Sequence, residues 1–211
     1  MFTLQHGKHM RPYVQINCAM TADGKLAGRR RRQIRISSQE DLERVQALRA
    51  RNDAILVGVG TILSDDPHLT LKEAGRNPIR VVLDSQGRTP ANAQVLDGRA
   101  PTIIATSEEC EKTWANAEVI RSGQSRVGLK GVLEALYERG VRTLLVEGGG
   151  EVIWSFFKEG LVDRYSVFVG SLIIGGRTAP TPVDGEGFGD DEAPRLRLKG
   201  YERLGDGVLL E

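Results

Sequence analysis

Twice along this chain a short apolar run breaks into glycine just before helical periodicity begins. The two stretches are "DAILVGVGTILSDD", Asp53 to Asp66, and "TLLVEGGGEVIWSFFKEG", Thr143 to Gly160. This pattern restricts the fold more than any other feature. Runs that are apolar at successive positions are buried on both faces, the condition of parallel strands covered by helices. In an open α/β sheet, ligands sit beyond the carboxyl ends of such strands. Glycine at that point lets the backbone approach a ligand with no Cβ in the way.

The rest of the chain fits the same scheme. Tyr13 to Met20, Ile79 to Leu83, Pro101 to Thr106 and Glu118 to Arg121 read as further strands, and Tyr165 to Val169 and the tail from Arg195 onward as closing ones. Ser38 and Asp41 make a Ser-x-x-Asp cap before Leu42, Val45 and Leu48,. Leu129, Val132, Leu133, Leu136 and Tyr137 form a helical stripe that Gly140 ends,. Strand–helix alternation that finishes in strands predicts an α/β layered sheet, mostly parallel and flanked by helices, with antiparallel strands at the C-terminal end. Residues 11–211 are expected to form one domain, behind a disordered N-terminal extension of residues 1–10. Gly185 to Glu192 reads as a mobile, glycine-rich loop.

Composition narrows the function. The balance of 29 Lys and Arg against 28 Asp and Glu gives no global pull toward nucleic acid or a membrane surface,. No apolar run reaches the ~20 residues of a membrane helix, and the N-terminus lacks the apolar centre of a signal peptide. A cytoplasmic protein is expected. Cys18, Cys110, His6, His9 and His68 are too scattered for a disulfide framework or a metal site,. No Gly-x-Ser-x-Gly elbow, Walker-type Gly-Lys-Ser/Thr or Ser-His-Asp set is found. Nucleophiles are scarce while two glycine loops suit a phosphorylated ligand, so chemistry carried by a bound cofactor is the economical reading.

Each candidate has a plainer alternative. Glu147 stands at a strand end, where a carboxylate can accept from a sugar hydroxyl or a base, and the helix start behind Gly150 suits a phosphate. A flexible connection explains the same glycines. Thr61 and Asp65 share a face if a helical turn begins at Thr61, but Asp65 or Asp66 closing a turn before Pro67 explains those residues too. The run "GRRRRQIRISS", Gly28 to Ser38, fits a solvated hairpin tip, a phosphate grip or an RNA contact,. Aromatic residues that would stack bases are missing beside it. Arg49 and Arg51 suit the end of a helix by charge alone.

The segments "INCAMTADGKLAG", "ISSQEDLERVQALRARNDAILVGVGTILSDDPHLTLK", "NPIRVVLDSQGR", "LLVEGGGEVIWSFF" and "IIGGRTAP", in this order, resemble the reductase of riboflavin biosynthesis from about Arg11 to the C-terminus. The resemblance implies a dihydrofolate-reductase-like fold, a homodimer and NADPH as hydride donor, with NADH left open. The chain looks like the stand-alone archaeal type, which reduces 2,5-diamino-6-ribosylamino-4(3H)-pyrimidinone 5′-phosphate to the ribitylamino compound by hydride transfer to ribose C1′. By this resemblance Ala19, Thr61, Asp65, Ser85, Gly149, Gly150, Glu151 and Val152 hold the cofactor. Gln33, Arg49, Leu69, Lys72 and Glu147 hold the phosphorylated pyrimidine–ribosyl substrate, with Glu147 the residue that orients the reacting sugar. Arg49 and Lys72 are expected to grip the 5′-phosphate. Arg35 falls at a tryptophan of bacterial relatives, and Asn17 stands in for a strand lysine that they carry. Two rival readings use the same residues: another pterin or folate reductase on this fold, and a non-enzymic nucleotide- or RNA-binding protein.

Overall fold

The structure is a computed structural model that describes residues 10–29, 34–72 and 75–211. Residues 1–9 of the expected N-terminal extension lie outside the described residues, as does Gln33 with most of the arginine run. The elements in chain order are β1 (Tyr13–Thr21), α1 (Gln39–Arg51), β2 (Ala54–Gly58), α2 (Val59–Asp65), β3 (Ile79–Leu83), β4 (Thr102–Thr106), β5 (Glu118–Arg121), α3 (Leu129–Glu138), β6 (Thr143–Gly148), α4 (Gly150–Lys158), β7 (Arg164–Gly170), β8 (Tyr201–Leu204) and β9 (Gly207–Leu210). A 3-10 turn at Gln94–Leu96 lies between β3 and β4.

All nine strands join one sheet in the order β5-β4-β3-β2-β6-β1-β7-β9-β8. The pairs from β5 through to β7 are parallel. Only β7–β9 and β8–β9 run antiparallel. This is the α/β sheet expected from the sequence, antiparallel strands included. The tail is the exception: residues 195–200 are irregular and the strand begins at Tyr201. β9 folds back to pair with both β7 and β8, whereas the segment 195–200 is tied to Glu211 through backbone bonds from Lys199 and Gly200.

The apolar runs are explained by burial on both faces. On one face Leu56, Val81, Leu144 and Val146 pack with Leu133 and Leu136 of α3 and Ile153 and Phe156 of α4. On the other, Ile55, Val57, Val82 and Ile104 pack with Ile62 of α2, Leu69 and Trp114. Alternate residues of one strand thus feed two cores, so neither face can accept a polar side chain without a partner.

Helix α1 begins where the cap motif places it: the Ser38 side chain accepts from the Asp41 N–H. Its stripe of Leu42, Val45 and Leu48 is only half-buried. The buried member is Asp41, which accepts from Ser37 and Arg44. Arg44 in turn donates to Asn17 Oδ1 at 2.7 Å. Asn17 is therefore committed to holding α1 on β1 rather than turned to a ligand. The segment Gly185 to Glu192 makes defined contacts: a Cβ at Gly185 would run into the Trp154 ring, and Phe188 lies with its centroid 6.4 Å from that ring.

Ser38 has a second role, because its hydroxyl also donates to the Leu204 carbonyl at 3.2 Å. Ser38→Ala removes the cap and this tie to β8, and is expected to cost about 1 kcal/mol of stability. A urea denaturation midpoint that does not fall would show that the cap contributes nothing.

Candidate active site

The carboxyl ends of β1, β2, β3 and β6 open onto one cleft of about 1910 Å³. It forms here because β6 is inserted between β1 and β2, which brings two segments distant in sequence side by side. Glu147 near the end of β6 and Arg49 in the last turn of α1 meet at its base. Arg49 Nε donates to Glu147 Oε1 at 2.8 Å and Nη2 to Oε2 at 2.7 Å. Both side chains are mostly buried, 18% and 14% exposed, so solvent screens the pair poorly. Burial opposes the Arg49 charge, but the field and hydrogen bonds of Glu147 outweigh it and raise the guanidinium above its ordinary value. A carboxyl group whose two oxygens both accept from one guanidinium is held in place as an acceptor and orienter.

The two glycine loops lie side by side at the cleft, since β2 pairs with β6 and a Cβ at Gly58 would meet Val152 Cγ2 at 2.7 Å. α2 runs Val59–Asp65, so Thr61 and Asp65 stand one turn apart, and both line the wall,. The turn that closes α2 belongs to Asp66, with φ 41°; its carboxylate accepts from the Gln94 N–H at 2.8 Å. In the other loop Gly148 has φ 107°, a conformation that only glycine adopts without strain, and the Gly148–Gly149 peptide is cis,. α4 then starts at Gly150 with its first N–H groups at the cleft,.

The glycines are there for different reasons. At Gly150 a Cβ would collide with Thr181 and Asp184, whose backbone N–H donates to the Gly150 carbonyl at 3.2 Å. At Gly149 φ is −67°, and a Cβ would meet only Thr61 Oγ1, 4.0 Å away. Packing explains the first glycine and leaves the second unexplained by the protein itself.

Of the positions singled out in the sequence, Ala19, Thr61, Asp65, Ser85, Gly149, Gly150, Glu151 and Val152 line this cleft, and so do Arg35, Arg49, Leu69 and Glu147. Lys72 does not: it is exposed, and its backbone N–H donates to Gln46 Oε1 at 3.0 Å. Gln33 lies outside the described residues. Ser85 Oγ accepts from the Val127 N–H at 3.1 Å, which fastens the loop before α3 onto the end of β3. That contact brings Arg126 and Lys130 to the same wall as Arg88. Sequence reasoning missed these cations, together with Cys18, Trp154 and Pro180. Arg88, Cys18, Trp154 and Pro180 all lie inside the quoted segments and so carried a signal; Arg126 and Lys130 reach the cleft through the contact between Ser85 and Val127.

The rim is tied across the chain. Leu26 N donates to the Pro180 carbonyl and Ala22 N to Leu172. Asp23 accepts from the N–H groups of Ile174 and Gly175. The Thr21 hydroxyl and these backbone donors hold its carboxyl down to about 2. Among the described residues no group of three or more His, Cys, Asp or Glu is arranged to hold a metal, and no helix is long and apolar enough to cross a membrane.

Comparison with known proteins agrees with this geometry. The chain is 44% identical over 217 residues to the 2,5-diamino-6-ribosylamino-4(3H)-pyrimidinone 5′-phosphate reductase of Archaeoglobus fulgidus, covering 95% of this chain and 97% of that protein. It is 44% identical over 212 residues to the enzyme of the same name from Methanothermobacter thermautotrophicus, covering 96% and 98%. Among solved structures, the diaminohydroxyphosphoribosylaminopyrimidine deaminase/5-amino-6-(5-phosphoribosylamino)uracil reductase of Thermotoga maritima superposes with a TM-score of 0.84 at 31% identity. The match covers 95% of this chain and 56% of that longer one. With residues 12–210 matching the RibD C-terminal domain, the chain belongs to the RibD C-terminal domain family.

Proposed function

We propose that this chain is a reductase of riboflavin biosynthesis that converts 2,5-diamino-6-ribosylamino-4(3H)-pyrimidinone 5′-phosphate to the 2,5-diamino-6-ribitylamino compound with NADPH. The observation that carries this reading is a single cleft in which an unexplained glycine at a helix start faces Thr61, with the Arg49–Glu147 pair in the same wall. The names of the two archaeal relatives supply the substrate.

The residues fit a dinucleotide. The space above Gly149, where a Cβ would touch only Thr61, suits a phosphate lying against the start of α4,. Thr61, Asp65 and Ser85 offer hydroxyl and carboxylate partners along the same wall. Arg88 and Arg126, both exposed at the β3 end, suit the additional phosphate that distinguishes NADPH from NADH,. When bound, the reduced nicotinamide supplies a hydride to C1′ of the opened ribosylamine.

The protein's own contribution is alignment. Reacting atoms must be held roughly 3–3.5 Å apart for the step to proceed as an intramolecular one. Glu147, fixed by Arg49, accepts hydrogen bonds from the substrate's sugar or base and sets its angle. Arg49 spends its fork on Glu147, so the 5′-phosphate falls to Arg35 together with the outer edge of Arg49. Lys72 has no place in this scheme. Leu69 and Ala19 close the apolar sides. The single domain of residues 11–211 would work as a homodimer, to which the exposed Leu196, Leu198 and Tyr201 beside the sheet edge offer apolar surface. Sedimentation at the mass of one chain would exclude the dimer.

Purified protein is expected to oxidise NADPH in the presence of the phosphorylated substrate and to prefer it to NADH. Glu147→Gln should lower kcat/KM by about tenfold or more, a loss of about 1.4 kcal/mol or more of transition-state stabilisation. Absence of turnover with this substrate, or turnover with dihydrofolate instead, refutes the proposal. Arg88→Ala should bring the NADPH and NADH constants together, and an unchanged ratio removes Arg88 from the cofactor site. Gly149→Ala should raise the NADPH dissociation constant by about tenfold, because the methyl enters open space that the ligand needs, while leaving the thermal midpoint unchanged. Equal fluorescence titrations for wild type and variant would show that no ligand approaches there.

A further inference from the structure

Leu69 and Asp66 are the two non-glycine residues with left-handed backbone among the described residues, at φ 52° and 41°. Asp66 caps α2, and a short polar side chain tolerates that conformation,. A leucine does not, and it stays there only where its surroundings over-determine it. Here they do. The Leu69 side chain is 3% exposed within the second core. Thr70 O accepts from Arg49 Nη1 at 3.5 Å, and Leu71 N donates to Asn77 Oδ1 at 2.9 Å.

A further hold is at His68. Its carbonyl accepts from Arg80 Nη1 at 3.3 Å, and its ring Nδ1 donates to Asp97 Oδ2 at 3.0 Å. Arg80 is fully buried in β3 and donates to Asp97 Oδ1 at 2.8 Å, Thr102 Oγ1 at 3.0 Å and the Ala100 carbonyl at 2.7 Å. Asp97 also accepts from Arg99 Nε at 2.7 Å. Breaking a buried charge away from such partners is costly, so a group bonded to this pair inherits a fixed position. The His68 side chain itself is 47% exposed, so burying apolar area is not what fixes it there.

We infer that His68 is a positioning residue. Its ring, pinned to the Asp97–Arg80 pair, holds Leu69 in the left-handed conformation and so shapes the substrate end of the cleft. The inference rests on the proposed function only in assigning Leu69 and Arg49 to the substrate end; the pinning itself does not depend on it.

The test compares His68→Ala, which leaves Arg80 and Asp97 paired, with His68→Asn, which returns an N–H donor near the Nδ1 position. Hydrogen–deuterium exchange at the Leu71 amide of the ligand-free protein, which donates to Asn77 Oδ1, reads the pinning of this segment without substrate,. Exchange is expected to rise about tenfold in His68→Ala and to return toward wild type in His68→Asn. With the phosphorylated substrate, His68→Ala should raise KM about three- to tenfold, with kcat and the NADPH dissociation constant within about twofold of wild type. Unchanged exchange in the alanine variant overturns the pinning, and so does failure of asparagine to restore it. Faster exchange with an unchanged KM, or with KM, kcat and cofactor binding all lost together, overturns the specific link to substrate recognition. A wild type that turns nothing over while exchange responds as expected sinks the functional reading and leaves the pinning intact.

Discussion

The pairing of β6 between β1 and β2 is the contact on which the rest of the cleft depends. A strand in that position has its backbone groups paired on both sides and its side chains buried on both faces, so it cannot shift register without exposing a core residue. Its carboxyl end is therefore a fixed point. Glu147 follows Val146 at the register shift between β2 and β6, and Arg49 fixes it from α1 with a two-pronged contact. Gly148 still pairs with Val57, and the irregular backbone follows at Gly149, where polar groups no longer have to pair within the sheet,.

Two buried arginines divide the electrostatic work. Arg80 sits wholly inside, answered by Asp97 and by carbonyls of the β3–β4 connection, and touches no part of the cleft. Arg49 lines the cleft and is answered by Glu147. Each ion pair holds loops in place at the cost of desolvating charge, and such pairs specify geometry more than they add stability. The two are joined through the short segment from His68 to Thr70, so the wall nearest the Arg49–Glu147 pair is braced from both ends.

Much of this was legible in the chain. The strands at Ile79–Leu83 and Glu118–Arg121, the Ser38 cap and the α3 stripe followed from periodicity and capping chemistry, which are local. Thr61 and Asp65 fell on one face of a helix, as their spacing required. Lys72 is exposed and does not line the cleft, since a charge next to a motif says nothing about which way the loop turns. The phosphate grip assigned to Arg49 could not anticipate that Glu147, 98 residues further on, would occupy its fork.

By itself, then, the sequence determined the elements, the doubly buried character of the sheet and the presence of backbone openings at two strand ends, because each depends on neighbours within a few residues. Only the tertiary structure decided that β6 lies between β1 and β2, that Ser85 draws Arg126 and Lys130 to the wall that holds Arg88, and that Leu69 is held left-handed. Those outcomes depend on pairings between residues far apart in the chain, and strand order is set by the burial of whole faces rather than by any local preference.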